Sequence, residues 1–486
     1  MSIQSENGVS SLELIPELNV RPEKLSHIHL MGVCGTGMAS LAGMLKEQGY
    51  DVTGSDANVY PPMSLLLESL KIPVFEGYGP GNLGPEIDLV IVGNVITRMN
   101  PEAIELSRLG LPYLSFPQAI RQFAIGDKES IVISGTHGKT TTSSLIAWIL
   151  ETAGMDPGFM IGGIPANFET NFKLGKGRYF VIEGDEYDSA FFDKGPKFLH
   201  YNPLYTILTS IEFDHADIYR DLDHVIGSFR KLMDLIPVEG RLIANGDDET
   251  ICREISRSRC QVETYGFGRG NHWRIADMDD SEKFTKVRVL HGGDLLTAFE
   301  TPLFGRHNIS NCLSAVALAH VLDVPYDTLS RAFKTFKGVK RRQEILGEKR
   351  GVTVMDDFAH HPTAVRETIN AVKQKYPRRR LVVVFEPRSN SSRRNIFQTK
   401  YAASFDAGDV MVIREPPMVE KIPMAERFSA EQLVSDLGKK GLEAHCFSDT
   451  DSLLTYLLSE VKAGDMVLIM SNGGFDNLHQ RLLDAL

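Results

Sequence analysis

Two periods of hydrophobic patterning alternate along this chain. Short apolar, largely β-branched runs stand at 28–31, 89–92, 131–134, 179–182, 205–211, 351–355, 380–385, 410–413 and 466–470. Such runs, bounded by glycine, proline or polar residues, predict strands buried on both faces. Stretches with helical spacing follow several of them, at 38–48, after Lys139 and in the alanine-rich segment 313–321. Strands alternating with helices predict an α/β fold built on parallel sheets. Asn100-Pro101-Glu102 reads as a helix start, with Asn100 as N-cap and Pro101 at the first helical position. Thr363 or a nearby acid is expected to cap the helix that begins around Pro362.

Most of the candidate chemistry sits where a predicted strand ends in a polar or glycine-rich loop. In IVISGTHGKTTTSSLIAWIL (131–150), a strand runs through Gly135, Thr136, His137, Gly138, Lys139, Thr140 and Thr141 into an apolar helix. Backbone N–H groups freed by glycine and a helix N-terminus together suit phosphate. Lys139 supplies a point charge for β/γ-phosphates and Thr140 a hydroxyl for Mg²⁺. The full P-loop pattern has glycine where Ser134 stands, so this is a shortened variant. An ordinary strand-to-helix turn is the bland alternative.

A second glycine loop, Gly32-Val33-Cys34-Gly35-Thr36-Gly37, precedes Met38 and a helix, then a strand ending at Asp56. Strand, glycine turn, helix, strand and a final acid form a Rossmann-like nucleotide layout, open to NAD, to UDP or to a purely structural turn. Gly93-Asn94 opens another loop at a strand end. Glu183 ends a buried run and is the first candidate for a Mg²⁺ ligand, with Asp185, Glu186 and Asp188 as further ligands or solvated turn acids. His215, in Glu212-Phe213-Asp214-His215, is a candidate for a second Mg²⁺, for the reacting carboxyl or for a structural role. Asn308 and Asn311, behind His307, lie one helical turn apart and suit an adenine edge, although capping would account for Asn308 alone. Further on, 338–344 reads as a linker, and His360 and His361 follow a strand. Arg388, Arg393 and Arg394 suit bidentate carboxylate or phosphate binding, against the alternative of a solvated basic face. Arg378 and Arg379 read as surface charge.

A length of 486 residues is enough for about three domains. The net charge of −11 argues against a nucleic-acid binder. Five cysteines without CxxC spacing read as reduced thiols, not as a disulfide framework or zinc site. The N-terminus shows no signal-peptide pattern and no apolar run is long enough to span a bilayer, so no membrane role and a cytoplasmic location are expected.

Along essentially its whole length this order resembles the Mur ligase family. GTHGKTTT matches the family's shortened P-loop, Glu183 its magnesium glutamate, His215 in EFDHADIY its metal-site histidine, GRHNISN its adenine segment and MDDFAHHPT its third-domain motif. The resemblance implies an N-terminal extension (1–25), a Rossmann-like UDP-sugar domain (26–127), a central P-loop ATPase domain (128–337) and a C-terminal Rossmann-like domain for the amino substrate (338–486). It implies ATP and Mg²⁺, with Lys139, Glu183 and His215 catalytic and Thr140, Glu183 and His215 on the metal. Nucleotide contacts would come from 135–141, His307, Asn308, Asn311, Arg342 and Asp356. Substrate contacts would come from Gly32, Gly35, Thr36, Gly37, Met38, Asp56, Asn94, His361, Arg388, Arg393 and Arg394.

Within the family, HIHLMGVCGTGMASLAG, GSDANVYPPMS, PLYTILTSIEFDHADIYRDL, FEPRSNSSRR and MSNGGFDNLHQRL look most like members that join UDP-N-acetylmuramate to L-alanyl-γ-D-glutamyl-meso-diaminopimelate in peptidoglycan recycling. The alternative is the branch that adds L-alanine, which typically shows GIGGAGM and a QPHRYTR-like segment. The implied chemistry is ATP-dependent amide formation through an acyl phosphate, by a monomer or weak homo-oligomer. Two departures stand out: Arg230 occupies the spacing after His215 where several members carry a carbamylated lysine, and the DNPR motif is replaced by FEPRSN. The rival classes are a non-catalytic sensor of UDP-sugars and an NAD-dependent oxidoreductase.

Overall fold

The strand His27–Met31 lies at the centre of a five-stranded sheet ordered Val74–Glu76, Asp51–Asp56, His27–Met31, Leu89–Val92, Tyr113–Ser115. All its pairings are parallel. Strand order reverses beside His27–Met31, so the first glycine loop opens at a topological switch point, where α/β sheets place ligands. The computed structural model describes residues 14–486 apart from Pro62 and Glu282. Much of the expected 1–25 extension, and Pro62 of GSDANVYPPMS, therefore lie outside the described residues.

The chain divides into two compact units. One comprises the residues up to Val132 with 156–162 and 171–204; the other comprises 133–155, 163–170 and 205–486. In the first unit, helix Pro101–Leu109 starts as its sequence predicts: Asn100 accepts the Glu102 N–H at 2.9 Å, and Gly110 ends the helix at φ +64°. Strand Tyr179–Gly184 pairs in parallel with Gly158–Met160, which carries Phe172–Lys173 antiparallel on its other edge.

The second unit holds the P-loop helix Lys139–Thr152. Helix Arg306–Val321 packs on it, and Ala315, Leu318 and Ala319 meet Ile146, Ile149 and Leu150. The alanines let the two backbones approach, and the helix is buried on every side from Asn311 to Ala319. It begins at Arg306, so Asn308 and Asn311 lie one helical turn apart as expected. Strand Pro203–Leu208 stops short of the predicted 205–211, leaving 209–215 as loop. Beyond Gln261–Gly266 the chain forms an antiparallel ribbon, Trp273–Asp280, Thr285–His291 and Asp294–Thr301, which the sequence reading did not anticipate.

A six-stranded sheet follows, ordered Glu344–Lys349, Val352–Asp357, Met466–Met470, Leu381–Phe385, Val410–Arg414, Glu443–Phe447, with only the first strand antiparallel. Alternate residues feed opposite cores: Val383, Phe385, Met411 and Ile413 on one face, Val382, Val384, Val410 and Val412 on the other. That two-sided burial is why these strands read as unbroken apolar runs.

Three local expectations are corrected. His361, not Thr363, caps helix Pro362–Lys375, because its imidazole accepts the Thr363 N–H. Segment 338–344 is no free linker, since Gly338 and Lys340 hydrogen-bond to Ala166 and Ile164. Arg379 is not idle surface charge, since its guanidinium donates to Gly464 O, Thr353 Oγ1 and Asp465 O and ties strand ends together. Among the described residues no helix is long and apolar enough to cross a membrane.

Candidate active site

The buried strand Glu129–Ser134 delivers the P-loop, whose shape requires both of its glycines. Gly135 adopts φ +133°, and a Cβ there would stand 2.2 Å from Thr209 Oγ1. Gly138 adopts φ +82°, with Asn311 Oδ1 2.7 Å from where its Cβ would be. The loop is stitched to 209–212: Thr136 N donates to Ser210 O at 3.0 Å, His137 N to Ser210 Oγ at 3.0 Å, and Glu212 N to Thr136 Oγ1 at 2.9 Å. Lys139 Nζ donates to Gly135 O at 2.6 Å and so lies across the loop. Arg342 Nη2 stands 3.4 Å from Thr140 Oγ1, and its guanidinium stacks over Phe358.

Beside this cradle lie His307, Asn308 and Asn311. Nδ1 of His307 is buried without a hydrogen-bond partner, and burial, reinforced by His137, pushes this imidazole down to about 4. Asn308 does not cap its helix; its amide nitrogen donates to Phe304 O at 3.1 Å and Gln343 Oε1 at 2.9 Å. A cavity of about 410 Å³ lined by Phe304, Val339, Lys340, Arg342, Gln343 and Tyr376 lies in the same unit. Its size is in the range of nucleoside pockets. The glycine-dependent cradle, the unpartnered His307 nitrogen and this cavity fit ATP.

Behind the P-loop a set of acids and histidines converges. Glu212 Oε2 stands 3.0 Å from His137 Nε2 and 3.2 Å from His361 Nδ1, while Thr363 donates to Oε1 at 3.1 Å. Burial works to raise the Glu212 carboxyl, but the His137 hydrogen bond and the charges of His137 and His361 bring it down to about 2. Asp214 is buried, and although burial opposes its charge, His360 and His215 hold its carboxyl well below the usual range. His215 itself sits at φ +52°, with its N–H donating to Asp214 Oδ1 at 2.7 Å. The turn turns back on itself here, for the N–H groups of Ile218 and Tyr219 both donate to His215 O.

The remaining expected residues are placed as follows. Asp356 is buried and already accepts from Arg341 Nε at 3.1 Å and from His479 Nε2 at 3.0 Å. Arg388 packs along Gly473, leaving no room for a Cβ there. Arg393 donates to Met418 O and Asn390 Oδ1, and Arg394 pairs with Glu426. Arg230 makes a two-pronged pair with Glu254 at 2.7 and 2.8 Å. Glu212 and Gln343 were not singled out as site residues; Glu212's only sequence signal is its place three residues before His215 in one polar run.

In the first unit, Gly32 (φ +81°) lies with Val95 Cγ2 3.1 Å from its missing Cβ. Cys34 N and Asn58 N donate to the two oxygens of Asp56 at 2.9 Å each, so this acid buttresses the glycine loop. Gly35 and Thr36 are exposed at the helix start, Gly37 packs under Phe116, Met38 is buried and Asn94 is exposed. Glu183 accepts the Gly162 N–H at 2.6 Å.

Three family models match the chain: the Mur ligase family catalytic domain over 27–128, the Mur ligase middle domain over 133–319 and the Mur ligase glutamate ligase domain over 341–473. The UDP-N-acetylmuramate–L-alanyl-γ-D-glutamyl-meso-2,6-diaminoheptandioate ligase of Escherichia coli is 41% identical over 460 residues, 94% of this chain and 98% of that one. A UDP-N-acetylmuramate–L-alanine ligase of Clostridium acetobutylicum is 32% identical, covering 92% of this chain and 95% of its own. The crystal structure of a murein peptide ligase from Psychrobacter arcticus superposes with a TM-score of 0.71 at 35% identity, covering 95% of this chain and 98% of that one. The chain belongs to the Mur ligase family.

Proposed function

We propose that this Mur ligase joins UDP-N-acetylmuramate to L-alanyl-γ-D-glutamyl-meso-diaminopimelate, converting ATP to ADP and phosphate. The observation that carries the substrate choice is the 41% identity, over nearly the full length of both chains, to a ligase named for those two substrates. The ligase named for L-alanine stands at 32%.

The carboxylate of UDP-N-acetylmuramate attacks the γ-phosphorus, forming an acyl phosphate as ADP leaves. The α-amine of the tripeptide then attacks the acyl carbon, losing a proton and expelling phosphate to leave an amide. Lys139 and the loop N–H groups of 135–141 offset charge that grows on the transferring phosphoryl group. Thr140 in the first turn of helix Lys139–Thr152, Glu183 near the end of strand Tyr179–Gly184 and His215 in a loop each offer an oxygen or nitrogen donor for Mg²⁺. Magnesium, when bound, supplies positive charge between two anions that otherwise repel. His307, Asn311 and Arg342 hold the nucleotide, and 32–38 with Asn94 the UDP-sugar. Arg388, which faces Glu386 at 3.6 Å and is held less closely than Arg393 and Arg394, is the arginine of its loop assigned to a peptide carboxylate. The boundaries 26–127, 128–337 and 338–486, a cytoplasmic location and a monomer or weak homo-oligomer go with this reading.

Amide formation measured with UDP-N-acetylmuramate, ATP and either tripeptide or L-alanine tests it. Turnover with tripeptide and little with L-alanine is expected; the reverse would sink the recycling assignment.

A further inference from the structure

His361 faces an oxygen on each side of its ring. Nε2 lies 3.2 Å from Phe213 O, a carbonyl that can only accept, and Nδ1 lies 3.2 Å from Glu212 Oε2. Either neutral tautomer leaves one nitrogen lone pair pointing at an oxygen. Protonation would solve this, but burial and the neighbouring His137 push the ring down to about 3, even with Asp214 and Glu212 working the other way. The N-cap selects the tautomer: Nδ1 accepts the Thr363 N–H at 3.3 Å, so the proton sits on Nε2 and is donated to Phe213 O. Nδ1 therefore spends its one lone pair on the Thr363 N–H while it also faces the Glu212 carboxylate oxygen at 3.2 Å, and His137 Nε2 lies 3.0 Å from that same oxygen. A cation held between these atoms takes over the Nδ1 lone pair in exchange for the 3.3 Å contact with the Thr363 N–H.

We propose that His137, Glu212 and His361 form a binding site for a zinc-class transition-metal ion, distinct from the magnesium of the reaction. The three ligand atoms all lie within 4.8 Å of one another. The two edges at 3.0 and 3.2 Å match the ~3.3 Å expected between ligands of a tetrahedral ion with bonds near 2.0–2.1 Å. Two imidazoles and a carboxylate favour Zn²⁺, Co²⁺ or Ni²⁺ over Mg²⁺, which prefers oxygen. The side chains of His137 and Glu212 are 24% and 34% exposed, which leaves the fourth position open to water. Outer contacts already orient the ligands: Phe213 O fixes the His361 ring and Thr363 Oγ1 the Glu212 carboxylate. A bound ion ties the P-loop, two residues from Lys139, to the start of helix Pro362–Lys375.

The test uses tag-free full-length protein stripped with a chelator and titrated with Co²⁺, then Zn²⁺, without nucleotide. One Co²⁺ per chain with the intense visible band of tetrahedral coordination is expected, displaced by Zn²⁺, and Zn²⁺ should raise the melting temperature. Glu212→Gln and His361→Asn should each weaken binding by about tenfold or more and abolish the zinc-dependent shift. His445→Gln, at a half-buried histidine on strand Glu443–Phe447, should leave both unchanged. Near-UV circular dichroism confirms that each variant is folded, and Glu212→Gln keeps the side-chain shape if His361→Asn does not fold. Absence of a saturable tetrahedral Co²⁺ signal, or wild-type binding by folded Glu212→Gln, overturns the proposal.

Discussion

Lys139 reaches back 2.6 Å to the carbonyl of Gly135, so its charge is already inside the loop that would surround phosphate. Replacing it with alanine removes a charge and one hydrogen bond, and the surrounding core keeps its volume. Lys139→Ala is therefore expected to lower turnover by about a hundredfold or more with a nearly unchanged melting temperature. Steady-state rates and a thermal scan on the same preparation check it; near-normal turnover would remove the P-loop from the mechanism. The same side chain shows why residue types were legible while their partners were not. Lys139 and Gly138 announce themselves by spacing, but Asn311 Oδ1 lying where a Gly138 Cβ would go is set by two helices far apart in sequence. Asp56 is the converse: its position after the strand was legible, yet its carboxylate is taken up by the Cys34 and Asn58 N–H groups.

Elements buried on both faces were the most legible, since Leu381–Phe385 and Met466–Met470 cannot be other than apolar throughout. The ribbon from Trp273 to Thr301 escaped because its two outer strands keep no regular alternation of buried and exposed positions, and only the short stretch Thr285–Val289 between them alternates strictly. Caps fell between these cases. Asn100 works through its own neighbour and was predicted, whereas the capping His361 is fixed by Glu212 and Phe213, remote in sequence. That cap carries a pH dependence whose sign follows from burial. The folded-state value near 3 lies below the ordinary 6.5, so the unfolded chain binds the proton more readily between those values. Stability is then present above about 6.5 and is lost as pH falls toward 3. His307, pushed to about 4, adds in the same direction. His361→Asn keeps an amide oxygen able to cap the helix but cannot titrate. Its unfolding free energy, measured by urea titration at a series of pH values, should fall less steeply than wild type on acidification from neutral; equal slopes would mean that another group carries the acid sensitivity.

At the scale of the molecule, the two regions proposed to bind ligands fall in different compact units. Residues 32–38, Asp56 and Asn94 lie in the first, and 135–141, 307–311 and Arg342 in the second. The boundary between units passes inside the strands Glu129–Ser134 and Pro203–Leu208 and also through the loops at 155–156, 162–163 and 170–171, so the chain crosses it five times. A ligand that binds only the folded form stabilises what it touches by RT ln(1 + [L]/Kd), about 2.7 kcal/mol at a hundred times Kd. Local opening is sampled segment by segment, so that stabilisation should be read first where the contacts are. ADP is expected to slow amide exchange at 135–141 and at the start of Arg306–Val321, leaving the 32–38 loop as it was. UDP-N-acetylmuramate is expected to protect 32–38 and the loop at Asn94, with little change at 135–141. Hydrogen–deuterium exchange with each ligand alone makes the comparison. If ADP protected 32–38 as strongly as 135–141, the nucleotide would not be confined to the second unit, and the assignment of the first glycine loop to the UDP-sugar would lose its basis.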